Sequence, residues 1–216
     1  MSVDKFCQII KDKLPNLQVG CIFEVGSWNC NQALELRSVF PNANMFSFEP
    51  NWDTLPLCFI NAAKGNITVV PAAVAVKDGL TTFYASTTEN HGYSSVFKPS
   101  GKYDHIERMP TNERITPSVR LDTFIDYKKC PIPDLMWLDA QGSDLNAMKS
   151  LGEYIGGVSA IWCEVLYGEM YTGQCFRDEI VEFLTKSGFE INHEQVVYKH
   201  GATNWWGDMC FIRRHR

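Results

Sequence analysis

Short apolar runs alternate along this chain with segments of helical spacing, and that alternation restricts it to a layered fold of sheet and helix. Cys21–Val25, residues 45–48, Leu135–Leu138 and residues 158–163 are such runs, and residues 67–76 suit one or two buried strands around Pro71. Residues 4–14 put Phe6, Ile9, Ile10 and Leu14 on one helical face, with Asp4 as the candidate cap and Pro15 beyond the end. Helical spacing returns over residues 29–40, 52–63, 122–128, 143–151 and 176–186, the last stopped by Gly188. Residues 189–191 and 208–213 are two strands joined without a helix, which predicts an antiparallel closing hairpin. The expected fold class is α/β, doubly wound around a mostly parallel sheet.

Between the third strand region and residue 122 the period fails. The Lys77-Asp78-Gly79 turn leads into a strand over residues 80–85, but residues 87–117 hold Gly92, Pro99, Gly101, Pro110 and Pro117 among polar side chains. Long irregular stretches in compact domains are usually lids or binding loops, so residues 87–117 are expected to be an irregular loop on the substrate side.

With 216 residues, 45% hydrophobic and 21% charged, the chain can bury a sizeable core, which excludes disordered, collagenous and small disulfide-scaffold classes and predicts one domain over residues 1–216. A net charge of −5 supplies no whole-molecule basic field for nucleic acid or anionic membrane. The eight cysteines are scattered, with no Cys-x-x-Cys pair and no zinc-finger spacing, and read as buried thiols of a reducing compartment. No basic segment followed by an apolar one opens the sequence, Ser2 stands where myristoylation requires glycine, and no apolar stretch approaches the ~20 residues of a membrane helix. A soluble cytoplasmic protein without membrane partners is expected. The oligomeric state is not legible.

In a doubly wound sheet, ligands bind at the carboxyl ends of the strands. Those ends carry Glu24 to Ser27, Glu49-Pro50, Asp139 to Gly142 and Glu164, so four acidic residues are expected to meet at one rim. Gly26 after the first strand permits close backbone approach, and Glu49, 23 residues further on, can accept both hydroxyls of a ribose. That pair fits an adenosine ligand, whether in a nicotinamide dinucleotide or in S-adenosylmethionine. The loop separates the two. A pyrophosphate turn wants G-x-G-x-x-G, whereas residues 26–31 (G-S-W-N-C-N) keep only the first glycine, and a carboxylate at Glu24 suits a cationic methionyl end better than pyrophosphate. The sulfonium cofactor is favoured.

These residues resemble the FkbM-type S-adenosylmethionine-dependent methyltransferases. The resemblance runs from about Ile22 to Ile212 through I-F-E-V-G-S (residues 22–27), F-S-F-E-P-N (46–51), A-A-V (72–74), S-S-V (94–96), V-R-L-D-T-F-I (119–125), D-L-M-W-L-D-A-Q-G-S-D-L (134–145), I-W-C-E-V (161–165) and G-D-M-C-F-I (207–212). It implies a Rossmann-like class I methyltransferase fold with seven strands, S-adenosylmethionine as cofactor, and transfer commonly to a hydroxyl oxygen. It also implies cofactor contacts from Glu24, Gly26, Ser27 and Glu49, extended to Pro50, Ala73, Ser95, Asp139 and Gln141 in the matching blocks. Among the chain's departures from the family's first motif, D-x-G-A-N-x-G, Glu24 replaces the Asp, Trp28 stands at the Asn and Cys30 at the second Gly.

Methyl transfer from a sulfonium requires alignment of acceptor and methyl, and a hydroxyl acceptor must also lose its proton. Asp139 is the candidate base, or alternatively a residue that holds loop amides or the cofactor amine. His91 and Glu164 are candidate acceptor contacts, Glu164 alternatively a solvated strand end. The histidines, His91, His105, His193 and His200 among them, are dispersed, and no metal site is expected. Trp205-Trp206 and the Tyr167 to Tyr171 segment read as packing, and residues 213–216 (R-R-H-R) as a solvated tail. The expected function is O-methylation of a small molecule or saccharide. The alternatives are ribose methylation of RNA, a non-catalytic cofactor-binding module and, last, a nicotinamide oxidoreductase.

Overall fold

A computed structural model of the chain describes residues 2–89, 91–103 and 108–214. His105, His215 and Arg216 lie outside them. The first helix, α1 (Val3–Lys13), is capped by Ser2, whose hydroxyl accepts from the Lys5 N–H at 3.2 Å, while Asp4 sits inside the first turn. The cap expected at Asp4 is therefore two residues earlier. Strand β1 (Cys21–Val25), helix α2 (Asn31–Val39), β2 (Asn44–Phe48), helix α3 (Leu55–Lys64) and β3 (Thr68–Val70) follow as two strand-helix units. Pro56 falls in the first turn of α3, where its missing N–H costs no helical hydrogen bond.

The region around Pro71 splits between two sheets. Strand β3 joins the main sheet, and β4 (Ala73–Val74) begins a second one with β5 (Gly79–Ser86) and β6 (Thr111–Val119), in the order β4-β6-β5. Strand β6 corrects the irregular loop expected over 87–117, for it pairs antiparallel with all of β5 from Gly79↔Ser118 to Ser86↔Thr111. It was hidden because the side chains it buries are Thr116 and Ser118 rather than apolar ones, and because it contains Pro117. Pairing with β4 starts only at Ser118, so on that edge the proline has no ladder bond to break.

Helix α4 (Leu121–Lys128), β7 (Leu135–Leu138), α5 (Asp144–Lys149), β8 (Ala160–Leu166), α6 (Arg177–Lys186), β9 (Phe189–His200) and β10 (Thr203–Arg213) complete the chain. The main sheet runs β3-β2-β1-β7-β8-β10-β9, parallel except for β10, which is antiparallel to β8 and β9. This is the seven-stranded class I methyltransferase order, with its closing hairpin, although β9 and β10 are far longer than the two short runs that foretold them. Glu164 lies inside β8, opposite Asp208, rather than at the strand's end.

Each sheet face has its own core. Phe23, Phe48, Phe124, Met136 and Leu145 pack on one side; Phe6 on the other sets its ring 5.9 Å from Trp137 and 5.8 Å from Trp162, which stack on each other. His193 extends that stack, 5.4 Å from Trp162. Arg213 is no solvated tail residue: its guanidinium donates to the carbonyls of Val158 at 2.6 Å, Ser187 at 3.0 Å and Ile155, and lies over the Phe189 ring. Among the described residues no helix is long and apolar enough to cross a membrane.

Candidate active site

Strands β2, β1 and β7 end side by side, with Phe48 beside Val25 and Val25 beside Leu138, so Glu49, Gly26 and Asp139 emerge in one row. A cleft opens there that contains about 720 Å³ of space, its solvent-open mouth included. Of the candidate residues, Gly26, Glu49, Pro50, Ala73, His91, Ser95, Asp139 and Gln141 line it. Glu24, Ser27 and Glu164 do not.

Glu24 is fully buried because β1 runs one residue further, to Val25, and side chains alternate across a strand. It therefore shares the face of Ile22, under the start of α2, where one carboxylate oxygen accepts the Ala33 N–H at 2.9 Å and the other the Ser47 hydroxyl at 2.6 Å. Cys30 stands at the cap position of α2 without a side-chain capping bond, so Glu24 meets one of the helix's orphan N–H groups from below. Ser27 is likewise buried, its hydroxyl 3.5 Å from the Phe48 carbonyl and 3.7 Å from Cys58 Sγ. The Cys30 thiol points inward toward Ser47 and leaves the cleft open.

Glu49 is 5% exposed. Its two oxygens accept main-chain N–H groups, Oε2 from Trp28 at 2.6 Å and Oε1 from Asn51 at 2.7 Å, which aim the carboxylate at the cleft and leave lone pairs free for further donors. Burial pushes its pKa up to about 7, against those hydrogen bonds.

Asp139 is held from both ends. Its N–H donates to the Val25 carbonyl at 2.9 Å, and its Oδ1 accepts from Gln141 Nε2 at 2.7 Å. The same amide nitrogen donates to Glu164 Oε2 at 3.1 Å, while Gln141 Oε1 accepts from the buried Tyr171 hydroxyl at 2.7 Å. The Gln141 carbonyl accepts the Ser95 hydroxyl at 2.8 Å. Gln141 thus ties two carboxylates together, and its orientation is fixed by three elements. Burial pushes Asp139 up to about 6 and Glu164 well above its ordinary value, each without an Arg or Lys ion-pair partner among the described residues. Asp144, also buried, accepts the Ala140 N–H at 3.2 Å and is pushed up to about 7.

Sequence reasoning did not single out Asn51, Thr54, Phe83 or Ser94, all of which line the cleft. Ser94 accepts from the Ser86 N–H at 3.0 Å and from Asn51 Nδ2 at 3.4 Å, so it joins the second sheet to the β2 loop. No local pattern marks such residues, since their partners are some 8 to 43 positions away. Among the described residues no group of three or more His, Cys, Asp or Glu side chains could hold a metal ion.

A family model for the methyltransferase FkbM domain matches residues 19–191. No curated protein matches the chain. Among solved structures, a methyltransferase FkbM from Methylobacillus flagellatus KT superposes with a TM-score of 0.54 at 12% identity, over 90% of this chain and 44% of that one. This chain therefore spans under half of that relative. A precorrin-6y C5,15-methyltransferase from Geobacter metallireducens GS-15 gives 0.51 at 15% identity, over 98% and 88% of the two chains. Magnesium protoporphyrin IX methyltransferase from Synechocystis PCC 6803, with bound S-adenosylmethionine, gives 0.53 at 10% identity, over 98% and 78%. At such identities the likeness establishes the fold, whereas the family match covers well over half of the chain. The strand order, the cleft at the ends of β1, β2 and β7, and that match together place the chain in the FkbM methyltransferase family.

Proposed function

We propose that this chain transfers the methyl group of S-adenosylmethionine to a hydroxyl of a small molecule or saccharide, as one methyltransferase domain. The observation that carries the cofactor class is the charge of the cleft: Glu49 and Asp139 line it, and among the described residues no Lys or Arg does. Two carboxylates in a partly dehydrated cavity favour a ligand with cationic centres and disfavour pyrophosphate. The residues fit S-adenosylmethionine, which has a sulfonium, an ammonium and a ribose diol. Glu49 would accept the diol, Gly26, Pro50, Ala73, Ser95 and Gln141 would form the walls, and Asp139 would face the cationic end.

When bound, the cofactor supplies an already activated methyl electrophile. The chain's own work is alignment and proton removal. Asp139, steadied by Gln141, is positioned to take the proton of an acceptor hydroxyl, and His91 lines the cleft where it can orient that acceptor. Glu164 acts on Asp139 through Gln141 rather than on the acceptor directly. The same carboxylates disfavour a phosphate-bearing acceptor, which sets the small-molecule reading ahead of RNA.

Calorimetric titration with S-adenosylmethionine and S-adenosylhomocysteine, with NADH as control, tests the cofactor assignment. Binding of the adenosyl pair alone is expected. A folded protein that binds neither, or that binds NADH, would overturn it.

A further inference from the structure

Trp28 is the feature of the cleft that this function does not use. It occupies the family's Asn position and adopts a φ of +47°, a conformation L side chains rarely take. That backbone is held by its own N–H, which donates to Glu49 Oε2 at 2.6 Å. With its main chain turned in to the carboxylate, Trp28 lines the cleft and is 41% exposed, although tryptophan has one of the largest apolar side chains. It makes no ring contact with any described residue, unlike Trp137, Trp162 and Trp206, which all stack. A strained, part-exposed tryptophan at the wall of a cavity, one hydrogen bond from the carboxylate that would take the ribose, has the properties of a ligand wall.

We infer that Trp28 forms one wall of the nucleoside subsite, its indole packing on the adenosine portion of the cofactor while its main chain holds Glu49 in place. This rests on the cofactor reading above. An indole is suited to the role by chemistry: it offers a flat apolar surface to a purine or to the C–H face of a ribose, and stacking of this kind tolerates the solvent-open geometry of the cleft mouth. Trp28 and the diol acceptor are adjacent because a single backbone N–H joins them and both line the cleft, so a ligand that engages Glu49 comes close to Trp28. Trp52, 60% exposed and not lining the cleft, supplies an internal comparison.

The test pairs two probes, S-adenosylhomocysteine and 5′-methylthioadenosine, which share the nucleoside and differ in the amino-acid portion. Trp28→Asn keeps a residue that tolerates the left-handed backbone but removes the indole. It is expected to weaken both probes by about tenfold and by the same factor, while Trp28→Phe stays within about threefold of wild type and Trp52→Ala leaves both unchanged. Affinity of Trp28→Asn within about twofold of wild type for both probes, or a loss confined to S-adenosylhomocysteine, would overturn the inference. Hydroxyl-radical footprinting of the wild-type protein gives a second readout that needs no variant: S-adenosylhomocysteine should shield Trp28 from oxidation and leave Trp52 reactive. Equal oxidation of Trp28 with and without bound ligand would also overturn the wall. Failure of the wild-type protein to bind either probe is a different outcome, which removes the cofactor assignment and this inference with it.

Discussion

A Cβ placed on Gly26 would lie 2.0 Å from the carbonyl oxygen of Asp139. The first strand's loop and the loop that carries the candidate base are therefore packed main chain to main chain, and Gly26, at φ +81°, is required by that contact as well as by its turn. Gly26→Ala is expected to destabilise the fold by on the order of 2–4 kcal/mol, since backbone rather than a flexible side chain would have to yield. Urea unfolding measures this, and a variant as stable as wild type would show that the two loops separate easily.

Glu49 links cofactor affinity to pH. With its pKa pushed up to about 7 by burial, it is partly protonated in the ligand-free protein near neutrality. Ribose hydroxyls donate to the ionised form, so S-adenosylhomocysteine affinity should rise between about pH 6 and pH 8. Glu49→Gln should bind more weakly by about 1–3 kcal/mol and with a flatter pH profile. Titration calorimetry across that range decides it; identical profiles for the two proteins would move the pH dependence to another group.

The same burial shapes stability. Glu49, Asp139 and Asp144 have folded-state pKa values raised to about 7, 6 and 7, above 4.5 for Glu and 3.8 for Asp. Between those ordinary values and the raised ones the folded state binds more protons than the unfolded chain, so the slope of stability against pH is negative. The melting temperature of the ligand-free protein should fall from about pH 5 to about pH 8, and Glu49→Gln should lose part of that slope. Differential scanning calorimetry gives both curves. A rising curve would mean that these carboxylates are better compensated than their burial indicates.

We propose Asp139 for proton removal beside the cationic end of the cofactor, so Asp139→Asn should weaken S-adenosylhomocysteine by no more than about tenfold while turnover on a hydroxyl acceptor drops by about 10² or more beyond that loss. Parallel loss of both would make Asp139 a cofactor or loop-holding residue. Tyr171→Phe, which removes the hydroxyl bond to Gln141, should shift the pH profile of turnover without abolishing it.

Much of this arrangement is legible in the residues. Cys21–Val25 and Leu135–Leu138 stop where periodicity and glycine say they stop, and Glu49 before Pro50 marks a strand end because proline forces its predecessor into an extended conformation. Strand β6 and the length of β9 and β10 were not legible. Thr116 and Ser118 are buried polar residues, so β6 carries no apolar alternation, and β9 is half exposed along most of its length.

The sequence by itself determined how the strands of the main sheet alternate with helices, hence the rim at which Glu49, Gly26 and Asp139 meet, because periodicity and turn chemistry are local. Tertiary structure alone decided what each carboxylate does there. Glu24 and Glu49 look alike as acids near strand ends, yet one extra residue in β1 turns Glu24 under α2 to Ala33 and Ser47, while Glu49 faces the cleft. Asp139 and Glu164 are joined through the Gln141 amide, which the Tyr171 hydroxyl braces, on segments that meet when β7 and β8 pair. A carboxylate's partners and desolvation depend on groups far away in the chain, and a period of two residues decides the face on which it will find them.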